Sequence, residues 1–249
     1  METGSAGIHL AAIRRASLDP SRARTHTTPP LAHIRRGFAA STTTSASSDG
    51  SGPPSNPVSS LPPRKHFTDA MRAARAANDI PGVMKHFGEL CEHYPDSQGP
   101  GAFEILLSIA AHEGNPEAAM ETLEAMLAVG YPPTHHTHRK IIIAHNRGGQ
   151  LTQAWEWLQM LAQSEGDEYL AHAEGNTGAT LFNAVLTGAS KKADVVVFHE
   201  CWTAMKHARV DPDEGTLEAF MLMESKIGDS TGVEGVWERG EEFGYLHPI

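Results

Sequence analysis

A spacing of 35 residues runs through the second half of this 249-residue chain. Small or helix-ending residues separate amphipathic runs at Gly114, Gly149, Ala193 and Gly228, and a bulky residue follows nine positions later at Leu123, Leu158, Trp202 and Trp237. Successive gaps in both series are 35, 44 and 35, so one nine-residue insertion separates two in-register pairs. Self-similarity at this period means a stack of two-helix units, none of which buries its apolar face alone.

The units are legible one by one. The clearest runs from Pro100 to Thr134: Phe103, Leu106, Leu107 and Ala110 recur at helical spacing, and Gly114, Asn115 and Pro116 stop one helix, cap the next and start it. Ala119, Met120, Leu123 and Met126 line the second helix, which Gly130 and Pro132-Pro133 end. The next unit holds Ile141–Ile143, a Gly148-Gly149 break, and Leu158 and Leu161; a polar insertion at about 164–178 follows. A third unit spans Ala179–Asp213, a fourth spans Glu214–Pro248 with Val233, Val236 and Trp237, and a fainter one precedes them at about Arg64–Gln98 with Phe67, Val83, Phe87 and Leu90.

Charge divides the chain. Residues 1–38, rich in Arg and hydroxyl side chains and poor in acids, read as a mitochondrial or plastid transit peptide, with Arg36-Gly37-Phe38 as the cleavage signal. Residues 39–63 are a Ser/Pro/Gly-rich linker, and residues 64–249 form the helical repeat domain. From Arg64 onward 14 Lys and Arg stand against 27 Asp and Glu, a balance of −13 that any nucleic-acid role must accommodate. No stretch is apolar enough to span a membrane. Cys91 and Cys201 are lone thiols and read as buried small hydrophobes.

No catalytic signature is present, and the expectation is a non-enzyme without cofactor. His135, His136, His138 and His145 lack the i, i+4 spacing and the acid or thiolate that a metal site needs, so no metal is expected. Trp202 and Trp237 share a repeat position, which indicates core packing; Trp155 and Trp157 lie two apart on one helix, so at least one faces outward or under the insertion.

Phe103, Gly114, Ala119, Met126, Gly130 and Pro133, with Phe182, Asn183, Met205, Pro212 and Asp213, give a pattern that resembles the pentatricopeptide repeat family, as a short P-type-like array from about Arg64 to the C-terminus. The second unit lacks a closing proline, Phe198 fills an alanine slot and Gly240 a methionine slot. The resemblance implies an all-α, right-handed superhelical solenoid of about five helical hairpins. It also implies binding of single-stranded organellar RNA, one base per repeat, read by a residue early in the first helix and the residue closing the repeat. Carried over, the pairs are Glu104 with Thr134 and Asn183 with Asp213, the latter implying uridine; Arg139 takes the early place in the second unit. Arg147, Lys191 and Lys226 share the last turn of successive first helices, where the family's cations meet phosphate. The same cations also suit a helix C-terminus without any ligand.

One base-edge contact gives ~1–3 kcal/mol and micromolar affinity needs ~8, so binding alone is weak and a larger ribonucleoprotein is expected. A protein-interaction scaffold, such as a structural subunit of the mitochondrial ribosome or another organellar complex, stays open beside the accessory role in RNA processing, stability or translation.

Overall fold

The computed structural model describes residues 61–95, 97–171 and 177–228. The transit peptide, nearly all of the linker, the helix expected around Val233, Val236 and Trp237, and Gly240 lie outside the described residues. Nine helices form among those described: α1 (Arg64–Ala76), α2 (Ile80–His93), α3 (Pro100–Glu113), α4 (Pro116–Ala128), α5 (His135–Arg147), α6 (Leu151–Ala171), α7 (Thr177–Lys192), α8 (Val195–His207) and α9 (Glu214–Ile227). No strand occurs in this region, and no helix is long and apolar enough to cross a membrane.

The hairpin turns have a shared backbone device. Gly114, Gly149, Ala193 and Gly228, the residues of the 35-residue series, all adopt left-handed conformations with φ of 66°, 82°, 53° and 74°. At Gly114, Gly149 and Ala193 that conformation lets the chain leave one helix and enter the next, and at Gly228 it ends α9. Gly114 has a second constraint, because a Cβ there would lie 2.7 Å from the carbonyl carbon of Arg147. At the ends of second helices the same role falls to Gly130 (φ 87°) and, 79 positions on, to Arg209 (φ 55°). Side-chain caps restart the chain: Asp79 accepts from Gly82 N at 2.9 Å, Asn115 from Ala118 N at 3.0 Å, and Asp194 from Val197 N at 3.1 Å.

The chain divides into two compact units. One comprises residues 61–109 and 120–132 of the described chain. Its core joins Phe67 and Met71 of α1, Val83, Phe87 and Leu90 of α2, Phe103 and Leu106 of α3, and Met126 of α4. Phe87 meets Phe103 edge-on at 5.8 Å, and the Tyr131 hydroxyl accepts from Gly99 N at 3.2 Å. The faint first repeat is thus a complete hairpin. Cys91 departs from expectation: its side chain is only half-buried, and burial still pushes its thiol to about 11.

The other unit comprises residues 110–119 and those from 133 onward. In it α5 packs on α7 and α7 on α9, forming a row of first helices, while α6 backs α5 and α8 backs α7. Ile141, Ile142, Leu158, Leu161, Phe182, Val185 and Cys201 are buried between them.

Two expectations need correction here. The insertion is not simply a polar excursion from Ser164, because α6 runs to Ala171 across a non-helical Gly166 (φ 83°, ψ 166°) and returns Leu170 to full burial. Trp202 is half-buried rather than central, edge-on to Phe220 at 4.9 Å with the Lys206 ammonium 5.4 Å from its ring. Trp155 and Trp157 are both buried; the Trp155 indole donates to Glu200 at 3.0 Å. The Trp157 ring lies 6.0 Å from His138, which in turn meets Tyr169 of the insertion at 6.4 Å.

Candidate nucleic-acid interface

Three sets of hydrogen bonds fix how consecutive first helices lie. At their C-terminal ends, Arg147 donates to the carbonyls of Ala111 and His112 in the last turn of α3, at 3.4 and 3.2 Å, and Lys192 donates to Gly149 O at 2.5 Å. From the last turn of one helix to the middle of the next, Asn146 Nδ2 donates to Ala184 O at 2.7 Å, and the Ser190 hydroxyl lies 2.7 Å from Ala219 O. Asn146 and Ser190 are 44 apart and their acceptors 35 apart, so one inter-repeat link recurs in register. Gly188 leaves room for the first link, since a Cβ there would come within 2.5 Å of the Asn146 side chain. Nearer the N-terminal ends, Asn183 in the middle of α7 bonds to Asp213, the N-cap of α9. Along α5 and α7 the partners advance together, from Asn146 with Ala184 to Gly149 with Lys192, and along α7 and α9 from Asn183 with Asp213 to Ser190 with Ala219, so α5, α7 and α9 run parallel.

This row carries the positive charge of the repeats. Helices α5, α7 and α9 hold six Lys and Arg against three acids, whereas α6 and α8 behind them hold one Lys against five acids. Three of the proposed cations are open: Arg139 in α5, Lys191 ending α7 and Lys226 ending α9 are exposed, with no bonded partner among the described residues. Arg147 differs. It is exposed, yet its guanidinium caps carbonyls that the end of α3 leaves unpaired, so the position assigned to phosphate contact serves the joint between repeats.

The Asn183/Asp213 pair is assembled (Nδ2 to Oδ1, 2.6 Å) and half-buried. Thr216 completes it. The Thr216 hydroxyl lies 2.7 Å from Asn183 Oδ1, the Thr216 N–H donates to Asp213 Oδ1 at 3.0 Å, and the Asp213 N–H donates to the Thr216 hydroxyl at 3.1 Å. One Asn183 N–H and Asp213 Oδ2 remain without a partner among the described residues.

The other candidate positions are arranged differently. Thr134 caps α5 through a reciprocal box with Thr137, and Glu104 lies half-buried on α3. The place that would close the second repeat falls on Gly178, where a Cβ would come 1.9 Å from Leu170 O, so no side chain can stand opposite Arg139 from that position. The insertion also reaches the start of α5: Tyr169 stacks on His135 at 4.1 Å, and its carbonyl lies 2.9 Å from His135 Nε2. Thr216, Gly178 and Tyr169 were missed in the sequence, although Thr137 and Thr216 share the 79-residue interval of Thr134 and Asp213.

Burial raises the Cys201 thiol far above its usual range and lowers His145, whose ring bonds Gln150 at 2.9 Å. Among the described residues no group of three or more His, Cys, Asp or Glu is placed to hold a metal ion.

No protein-family profile and no curated protein matches the sequence. Solved structures do match. The pentatricopeptide repeat domain of Arabidopsis thaliana protein-only RNase P 1, determined in complex with tRNA, aligns with a TM-score of 0.55 at 12% identity, covering 75% of this chain and 93% of that one. Nuclear proteinaceous RNase P 2 from A. thaliana aligns with a TM-score of 0.51 at 12% identity, covering 72% of this chain and 38% of that one. The described chain is therefore all-α, and its fold is that of a pentatricopeptide-type helical repeat domain.

Proposed function

We propose that this chain binds single-stranded RNA along the parallel first helices α5, α7 and α9. The observation that carries the reading is the assembled Asn183/Asp213 pair, which leaves one donor in the middle of α7 and one acceptor at the N-cap of α9 for a ligand. A base edge needs that combination. Lys191 and Lys226 supply cations at the C-terminal ends of the same two helices, where a phosphate backbone gains from them. The tRNA bound in one of the similar structures supports the ligand class. With one complete pair and few open cations, affinity for isolated RNA is low, and the protein acts as a non-catalytic accessory factor in a larger organellar ribonucleoprotein, in RNA processing, stability or translation. The Arg-rich residues 1–38 are the reason for placing it in mitochondria or plastids.

The test is fluorescence anisotropy of the full chain with uridine-rich and cytidine-rich oligonucleotides at low salt. Weak binding that falls in Asn183→Ala and Asp213→Ala supports the reading; no binding by the unmutated chain refutes it. One feature favours a rival, a protein scaffold in an organellar complex such as the ribosome: the second helices α6 and α8 are strongly acidic, with five acids against one Lys. Sedimentation of the endogenous protein with ribosomal particles that survives ribonuclease treatment would select the scaffold.

A further inference from the structure

We infer that Thr216 is a positioning residue that sets the hydrogen-bonding polarity of Asn183, a claim that rests on the RNA reading above. An asparagine amide can turn either its oxygen or its nitrogen outward, and the two choices suit opposite base edges. Here the choice is made by neighbours. The Thr216 hydroxyl lies 2.7 Å from Asn183 Oδ1 and 3.2 Å from Asp213 Oδ1, so its single proton goes to the nearer amide oxygen. The same hydroxyl accepts from the Asp213 N–H at 3.1 Å, which leaves it no freedom to rotate away. Asn183 Nδ2 then faces the carboxylate at 2.6 Å, and its second N–H is left for a ligand.

Thr216 is itself fixed. It is fully buried at the third position of α9, and its backbone N–H is tied to Asp213 Oδ1 at 3.0 Å. The next residue back is Gly215, where a Cβ would lie 3.0 Å from Asn183 Nδ2 and crowd that remaining donor. Capping of α9 and orientation of Asn183 therefore share one hydroxyl.

The site is donor at Asn183 and acceptor at Asp213 Oδ2. Uracil set with its 4-oxygen toward Asn183 and its N3–H toward Asp213 satisfies both. Cytosine in the same register presents a donor to a donor and an acceptor to a carboxylate. Discrimination by one such contact is about tenfold, equivalent to ~1.4 kcal/mol.

The experiment measures affinity of the full chain for oligo-uridine and oligo-cytidine in the unmutated protein, Thr216→Ser and Thr216→Val. Preference for uridine of about tenfold in the unmutated chain, kept by Thr216→Ser and reduced to about twofold or less by Thr216→Val with RNA still bound, is the expected result. A folded Thr216→Val that keeps the preference overturns the inference, as does an unmutated chain that binds both polymers equally. A second measurement needs no variant and keeps the inference open to refutation if Thr216→Val fails to fold. Oligonucleotides whose pyrimidines lack the 4-oxygen should bind the unmutated chain only as well as oligo-cytidine, and binding equal to oligo-uridine overturns the inference. Absence of any RNA binding by the unmutated chain defeats the RNA reading itself, whereas loss of the base preference alone defeats only the role of Thr216.

Discussion

The guanidinium of Arg147 lies 3.2 Å from the carbonyl oxygen of His112, one repeat earlier in the chain. A cation at the end of one first helix thus closes the end of the preceding one, where several carbonyls have no partner within the helix. Arg147→Ala should therefore act on stability rather than on RNA. The expected cost is ~1 kcal/mol, read by chemical denaturation, with a smaller loss of RNA affinity than Lys191→Ala produces. Equal stability and a larger loss of affinity would assign Arg147 to the ligand.

Ala193 and Arg209 hold left-handed backbone at φ 53° and 55°, in places where equivalent repeats use Gly149 and Gly130. A Cβ is strained in that region, and glycine relieves it at some cost in unfolded-chain entropy. Ala193→Gly and Arg209→Gly should each stabilise the fold by ~0.5–1 kcal/mol, seen as a higher Tm. A lower Tm in both would mean that these side chains make contacts worth more than the strain.

Gly178 and Gly130 separate two reasons for glycine. At Gly130 a Cβ meets nothing within 4 Å, so an alanine there pays only for φ 87°. At Gly178 a Cβ would overlap Leu170 O at 1.9 Å, a backbone atom held by a fully buried residue. Gly178→Ala should cost ~1–3 kcal/mol and loosen the segment from Gly166 to Leu170, read as faster amide exchange there. Unchanged exchange would show that the insertion is not seated on α7 by this contact.

His145 makes stability depend on pH. Burial lowers it below its ordinary 6.5, against the smaller raising effects of its hydrogen bond to Gln150 and of Glu117 and Glu156. The unfolded chain therefore takes up this proton first as pH falls. The stability that the neutral ring contributes is complete above about pH 6.5 and is lost progressively as pH drops toward the lowered folded value. Denaturation midpoints at pH 7.5 and 5.5 should differ less in His145→Asn, which cannot titrate, than in the unmutated chain. An unchanged difference would place the pH dependence elsewhere.

The hairpins were legible because glycine, proline and apolar residues recur at one period, and the left-handed turns fall on the series that starts at Gly114. Asn183 and Asp213 were legible as a pair for the same reason. What lay hidden was contact between repeats. Nothing local distinguishes Arg147 from Lys191 as a cation in a last turn, yet only the former reaches carbonyls of the helix before it. Thr216 was obscured by its ordinary place three residues after a cap, and Tyr169 by the acidic residues around it. Those roles depend on which helix lies alongside, and a single segment does not encode that.

The most direct test is the salt dependence of oligo-uridine binding by the full chain, compared with the triple variant Arg139→Glu, Lys191→Glu and Lys226→Glu. If a phosphate backbone follows α5, α7 and α9, the plot of log affinity against log salt is clearly negative in the unmutated chain and becomes shallower by about two or more in the variant, since each lost phosphate contact removes ~0.7 from the slope. Identical slopes and affinities in the two proteins would contradict an RNA path along the first helices.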